Sequence, residues 1–359
     1  MAGSRFRALL AAIALMPMTA SAVGTSNFLQ EPNEVFYSNY YVAPNDVDGD
    51  GLSDLLWFNA QTSQFAYWIS SQQDTSHFYA RTSYRVFNIT PGYRISGVGD
   101  FNADKRADLV WTSARRDLYL WTASGNGFQS SYIGTYPDGW KLVGAADVNG
   151  DGDADLLWSN ASSCQFGYWL MRGAKRIDSR TMSVACGYRI AAIGHFQQST
   201  HVDLLWTSDA RDLYLWVGTA NGFRSRQIGS YGSQEYVVAA AEAGDFGGLN
   251  VYTENGAGQF TQYVWRQYFS GDTETMDTFG VVQSFPVTDG NYLAATGNFD
   301  QGNEAVLVWA NDTLNASVTP STPGSLSWYS ETFSDGTGWN YTSALASYPA
   351  GWTLVGSGH

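Results

Sequence analysis

Apolar residues in this chain come in short runs. LLWF (55–58), LVW (109–111), LLW (156–158) and LLW (204–206) alternate with FAYWI (65–69), LYLW (118–121), FGYWLM (166–171) and LYLW (213–216). Gly, Asn, Asp or Pro interrupts the pattern about every 8–12 residues, and no long stretch repeats with the 3.6-residue period of a helix. This punctuation predicts many short antiparallel strands. Composition agrees: the 38 Gly supply turns, while 22 Tyr, 19 Phe and 14 Trp suit pleated, half-buried surfaces.

The runs belong to a repeat. Aligned on the Trp that closes each first run, residues 46–57 read DVDGDGLSDLLW, 100–111 DFNADKRADLVW, 147–158 DVNGDGDADLLW and 195–206 HFQQSTHVDLLW. Two degraded copies follow, EAGDFGGLNVYT (242–253) and NFDQGNEAVLVW (298–309). Copies spaced by about 50 residues are in the range of a four-stranded propeller blade. A second level of similarity joins neighbouring copies: residues 112–136 and 207–231 match at roughly 15 of 25 positions, so the duplicated unit is a pair of blades. The expected fold is all-β, a six-bladed propeller built from three duplicated blade pairs, with seven blades as the alternative. The C-terminal YPAGWTLVGSGH (348–359) resembles YPDGWKLVGAAD (136–147), the lead into the third copy. It is therefore expected either to donate the missing first strand to the N-terminal blade or to begin a seventh. YYVAPND (40–46) competes for the same first-strand slot.

The polar half of each copy carries candidate chemistry. Asp46, Asp48, Asp50 and Asp54, with the Leu52 carbonyl, place oxygens at positions 1, 3, 5, 9 and 7 of one loop. The second copy offers Asp100, Asn102, Asp104, Asp108 and the Arg106 carbonyl; the third offers Asp147, Asn149, Asp151, Asp155 and the Asp153 carbonyl. Alternation turns these oxygens towards one point, a hard-oxygen set of the kind calcium takes. Without His or Cys at these positions, zinc and copper are disfavoured. Position 6 calls for a residue tolerant of positive φ; Gly51 and Gly152 satisfy this and Lys105 does not. His195, Gln197 and Ser199 replace the ligands of the fourth copy, leaving Asp203. The fifth and sixth keep Glu242 and Asp300 among non-ligands.

The pattern D-x-[DN]-x-D-G-x-x-D-L-L-W resembles the FG-GAP or VCBS repeats of integrin-like β-propellers and extends over nearly all of residues 40–359. The resemblance implies a loop that binds calcium between the first two strands of a blade, with the ligands named above.

Residues 1–22 have the make-up of a cleavable secretory signal: Arg5 and Arg7, a short apolar core, then Ala20-Ser21-Ala22. Residues 23–359 are then a single calcium-binding propeller, secreted to the extracellular space or the periplasm, with no transmembrane segment. Loss of the two arginines would take the formal charge from −14 to −16. Such acidity argues against a nucleic-acid partner. In an exported chain, Cys164 and Cys186 are expected to form a disulfide between neighbouring strands.

The predicted role is a binding module for carbohydrate or a cell surface, acting on glycans or surface proteins. Tyr93, Trp140, Tyr188 and Trp352, just before the first strands, are the candidate ligand platforms, since aromatic faces stack on sugar C–H surfaces. An exported protein-interaction scaffold is one alternative. A glycan lyase or hydrolase is another, but His77, His195, His201 and His359 recur in no catalytic pattern, and no nucleophile elbow or phosphate loop is present.

Overall fold

The computed structural model describes residues 45–355, apart from 72–79, 126, 198–199, 243–247, 271–272, 288–290, 298, 300–305, 312–323 and 331–339. The expected signal, residues 1–22, and the YYVAP segment lie outside the described residues, as do His77, Ser199, Asp300 and His359.

All regular structure among the described residues is β. The chain starts with β1 (Leu55–Asn59), β2 (Gln64–Ser71) and β3 (Ala80–Asn88). Five four-stranded antiparallel sheets follow, each of consecutive strands. The first contains β4 (Arg94–Gly99), β5 (Asp108–Thr112), β6 (Asp117–Ser124) and β7 (Gly127–Thr135). The second contains β8 (Lys141–Ala146), β9 (Asp155–Asn160), β10 (Gln165–Arg172) and β11 (Lys175–Ser183). Next come β12 (Arg189–Gly194), β13 (Asp203–Thr207), β14 (Asp212–Thr219) and β15 (Gly222–Ser230), then β16 (Glu235–Glu242), β17 (Leu249–Asn255), β18 (Gln259–Ser270) and β19 (Thr273–Pro286). The last is β20 (Asn291–Gly297), β21 (Val306–Asn311), β22 (Gly324–Ser330) and β23 (Asn340–Tyr348).

The expected blade count is corrected here. Five contiguous blades stand in place of six or seven equivalent ones. The remaining sheet is a composite, in the order β24-β1-β2-β3, whose innermost strand β24 (Thr353–Leu354) comes from the other end of the chain. It pairs as Trp57↔Leu354 and Phe58↔Thr353, and Val355 N–H donates to the Leu56 carbonyl at 2.8 Å. The physical reason is the open edge of β1, whose unpaired backbone groups must be covered. The C-terminal segment covers it, and no seventh sheet occurs among the described residues.

Each strand has the role its pattern implies. The first strand of a blade ends at the aspartate motif, and the D-L-[LV]-W run enters the second strand. That strand is buried along most of its length because a blade packs on neighbours through both faces, so its residues cannot alternate in and out. Leu109, Val110, Leu156, Leu157, Leu204 and Leu205 are fully buried, and Trp57, Trp111, Trp158 and Trp206 are 2% exposed. Each of these tryptophans lies against the tryptophan of its third strand, with ring centroids 4.7 Å apart for Trp57–Trp68 and 5.0 Å for Trp111–Trp121. One core cluster joins Leu56 of β1 to Trp111 of β5, and another joins Trp57 to Val308 of β21. The composite sheet therefore packs between the first and last contiguous blades.

Candidate metal centre and ligand groove

The second and third aspartate loops sit between a first and a second strand, so both their ends are anchored in a sheet; the first loop leads into β1, whose first-strand partner β24 comes from the other end of the chain. In the first loop Asp46 is the organiser. Its Oδ1 accepts the amide of Gly49 (2.6 Å) and its Oδ2 that of Gly51 (2.8 Å); Asp50 Oδ1 accepts Leu52 N–H at 2.9 Å. Gly49 and Gly51 hold φ of +82° and +87°, the left-handed turns that aim successive amides inward. Ligand oxygens of Asp46, Asp48 and Asp50 lie within 4.8 Å of one another.

The same scaffold recurs. Asp100 Oδ2 accepts Lys105 N–H at 2.7 Å, and Asp147 Oδ2 accepts Gly152 N–H at 2.7 Å. The position-5 carboxylates Asp104 and Asp151 hold the position-7 amides of Arg106 and Asp153, each at 3.0 Å. Position 6 has the positive φ that its glycines predict, and position 4, which the spacing does not mark, is also left-handed at Gly49, Ala103 and Gly150. In the second loop, Ala103 (+54°) and Lys105 (+66°) take this conformation without being glycine. The fold imposes the turn where local preference opposes it.

Position 9 has a role that spacing did not reveal. Asp54 is fully buried, and its two oxygens accept the amides of Val47 and Ser70, each at 2.8 Å. Asp108 takes Phe101 and Ala123 in the same way, and Asp155 takes Val148 and Met171. Each carboxylate ties its own loop to the end of the third strand. It stands behind the ligand group, and Asp54 is not among the three acids brought together at the loop.

Burial dominates the electrostatics. Desolvation pushes Asp46 up to about 7, only partly offset by the amides of Gly51 and Gly49, and the charges of Asp50 and Asp48 push the same way. Asp54 rises to about 9, again chiefly through burial. Asp100 and Asp108 rise to about 6 and about 7, and Asp155 to about 8, for the same reason. Carboxylates crowded in this way favour either protonation or a cation. The clustered carboxylate oxygens of Asp46, Asp48 and Asp50 are a hard, oxygen-only donor set that could hold a metal ion.

The four aromatic candidates separate into two pairs. Tyr93 donates its hydroxyl to Asp117 at 2.5 Å, and Tyr188 donates to Asp212. The carboxylate acceptors hold both phenols up at about 12, so these two brace turns. Trp140 is half-buried against the blade of β8–β11. Trp352 lines an open groove of about 290 Å³ at the seam of the ring, with Trp57, Trp68, Tyr84, Val86 and Tyr348. Tyr84 is 60% exposed there. Cys164 and Cys186 are bonded as expected, with Cα atoms 5.0 Å apart, although Cys186 lies in the turn beyond β11.

The family of FG-GAP-like repeats matches residues 46–111 and 100–158. The fold is a β-propeller, and its residues 46–158 carry FG-GAP-like repeats, the part of the expected 40–359 span that the family matches. No curated protein matches it. Among solved structures, a Bacteroides uniformis protein assigned as a 6-phosphogluconolactonase aligns at 11% identity and TM-score 0.51, over 89% of this chain and 90% of that one. Dihydro-heme d1 dehydrogenase NirN aligns at 12% identity and TM-score 0.41, over 94% and 82%. BBS1N, solved with ARL6DN, aligns at 10% and 0.43, over 90% and 84%. At 11% identity the Bacteroides uniformis match speaks to fold alone.

Proposed function

We propose that this protein is an exported, non-enzymatic binding module whose aspartate loops hold calcium as structural braces and whose seam groove takes carbohydrate. The disulfide supports export. The groove carries the ligand reading. The accessible rings of Trp352 and Tyr84 flank one open cavity floored by the buried Trp57, Trp68 and Tyr348, with the Ser347 and Tyr84 side chains at its wall for hydrogen bonding. Calcium would be held by Asp46, Asp48 and Asp50 in the first loop and by Asp100, Asn102, Asp104 and Asp147, Asn149, Asp151 in the next two. There it would neutralise acids that burial disfavours and, in the second and third loops, fasten a first strand to a second.

The test is a glycan array probed with calcium-loaded protein, alongside Trp352→Ala. Binding of defined glycans that Trp352→Ala reduces about tenfold or more would support the reading. An array without hits, combined with capture of a surface protein through the same groove, would instead favour the interaction scaffold.

A further inference from the structure

The three acidic loops touch one another through the backbone. The position-8 amide of each loop donates to the position-1 carbonyl of the loop before it: Ala107 N–H to Asp46 O at 2.6 Å, and Ala154 N–H to Asp100 O at 2.6 Å. The fourth loop closes the series with Val202 N–H on Asp147 O at 3.2 Å. The bonds fall at informative places. Position 1 is the organising aspartate, and position 8 lies between the position-7 carbonyl and the position-9 clamp. The loops also approach closely at two of their glycines. A Cβ on Gly49 would come within 3.3 Å of Arg106, and one on Gly152 within 3.6 Å of the Ala103 methyl.

The second loop is the exposed link in this belt. It is flanked on both sides, and it is the one whose two left-handed positions are filled by Ala103 and Lys105 in place of glycine. A backbone that L-residues disfavour is held only where its surroundings over-determine it. Its surroundings here are the first and third loops.

We infer that cation binding is coupled around the ring, with the second loop binding well only when its neighbours are ordered by their own cations. This rests on the calcium reading above. Ordering the first loop fixes the Asp46 carbonyl that receives Ala107 N–H. Ordering the third fixes Ala154 N–H, which holds the Asp100 carbonyl. Each event narrows the conformations left to the second loop, so part of its ordering is complete before its own cation arrives.

The test uses full-length protein and calcium alone, read by titration calorimetry. Asp50, Asp104 and Asp151 are exposed, so substituting them leaves the core intact. Pairs of Asp→Ala changes at these positions yield three proteins, each with one acidic loop unaltered. The second loop alone, in Asp50→Ala/Asp151→Ala, is expected to bind roughly fivefold or more weakly than in the unaltered chain. Adding Ala103→Gly and Lys105→Gly should restore most of that loss, whereas Lys105→Gln, which removes the charge but keeps a side chain, should not. If the unaltered isotherm equals the sum of the three single-loop isotherms, the coupling is overturned. If the unaltered protein takes up no calcium at all, the reading on which it rests fails instead.

Discussion

The first and fourth loops occupy equivalent places in the ring and have kept different halves of the motif. The first has acids at positions 1, 3, 5 and 9. The fourth has His195, Gln197 and Ser199 at the first three, yet retains Asp203. Asp203 is fully buried and accepts the amides of Gln197 (3.0 Å) and Gly218 (2.8 Å), much as Asp54 accepts Val47 and Ser70. The motif therefore carries two separable functions. Positions 1, 3 and 5 carry the clustered acids of the first loop and are replaced in the fourth. Position 9 clamps loop to sheet whether or not a cation is present, because two buried amides would otherwise go unsatisfied.

The largest expected effect tests that division directly. Asp203→Ala strands two amides that its carboxyl group now satisfies, and should destabilise by about 2–5 kcal/mol. Denaturant unfolding should report the same loss with calcium and with chelator. A loss seen only with calcium would assign position 9 to the metal.

Calcium removal is next. A ligand held by the folded state alone stabilises by about 2.7 kcal/mol at a hundredfold excess over Kd, so chelation should lower Tm by several degrees. Asp46→Ala should remove most of the first loop's share, and His195→Ala should leave the calcium response unchanged. An unchanged Tm on chelation would remove the brace from the function proposed above.

The pH response separates the loops further. Burial holds the folded carboxyls of Asp46, Asp54 and Asp155 above the ordinary value of 3.8. In chelator, the folded state then binds more protons than the unfolded chain from about pH 4 to about pH 9. Its stability should fall as pH rises through that window. Calcium requires the ionised ligands and should flatten or reverse the slope. A Tm in chelator that does not fall between about pH 4 and about pH 9 would contradict the raised carboxyls, and parallel curves with and without calcium would remove calcium from these acids.

The smallest effect concerns the disulfide. Val184 N–H already donates to the Cys164 carbonyl at 2.9 Å, and in the composite sheet Ile89 N–H donates to Ser63 at 2.8 Å with no disulfide. Ser63 and Cys164 share a left-handed φ, +51° and +52°. Cys164→Ser/Cys186→Ser should therefore cost less than the roughly 3 kcal/mol typical of a bridge closing a loop this size, read from urea midpoints. A larger loss would show that the bridge, not the backbone, sets this turn.

Much of this was legible in the chain. Strand order within a blade, the sequence-similar blade pairs, the three acidic loops and the cysteine pair all follow from periodicity and spacing. Other features were not. Tyr93 and Trp352 hold similar places before a first strand, yet one braces Asp117 and the other lines the seam groove. The fate of each ring depends on what the neighbouring blade presents, which no local pattern encodes.

What the sequence determined by itself is whatever short-range stereochemistry controls: alternating apolar runs become strands, and spaced acids with glycine become inward-facing loops. Only the tertiary structure decided how the ring closes, with Thr353–Leu354 on β1 and five contiguous blades between. It also decided that position 9 is a clamp and that Ala107 and Asp46 join separate loops. These contacts form between segments far apart in the chain, and their partners are chosen by the need to satisfy every backbone group buried when blades pack.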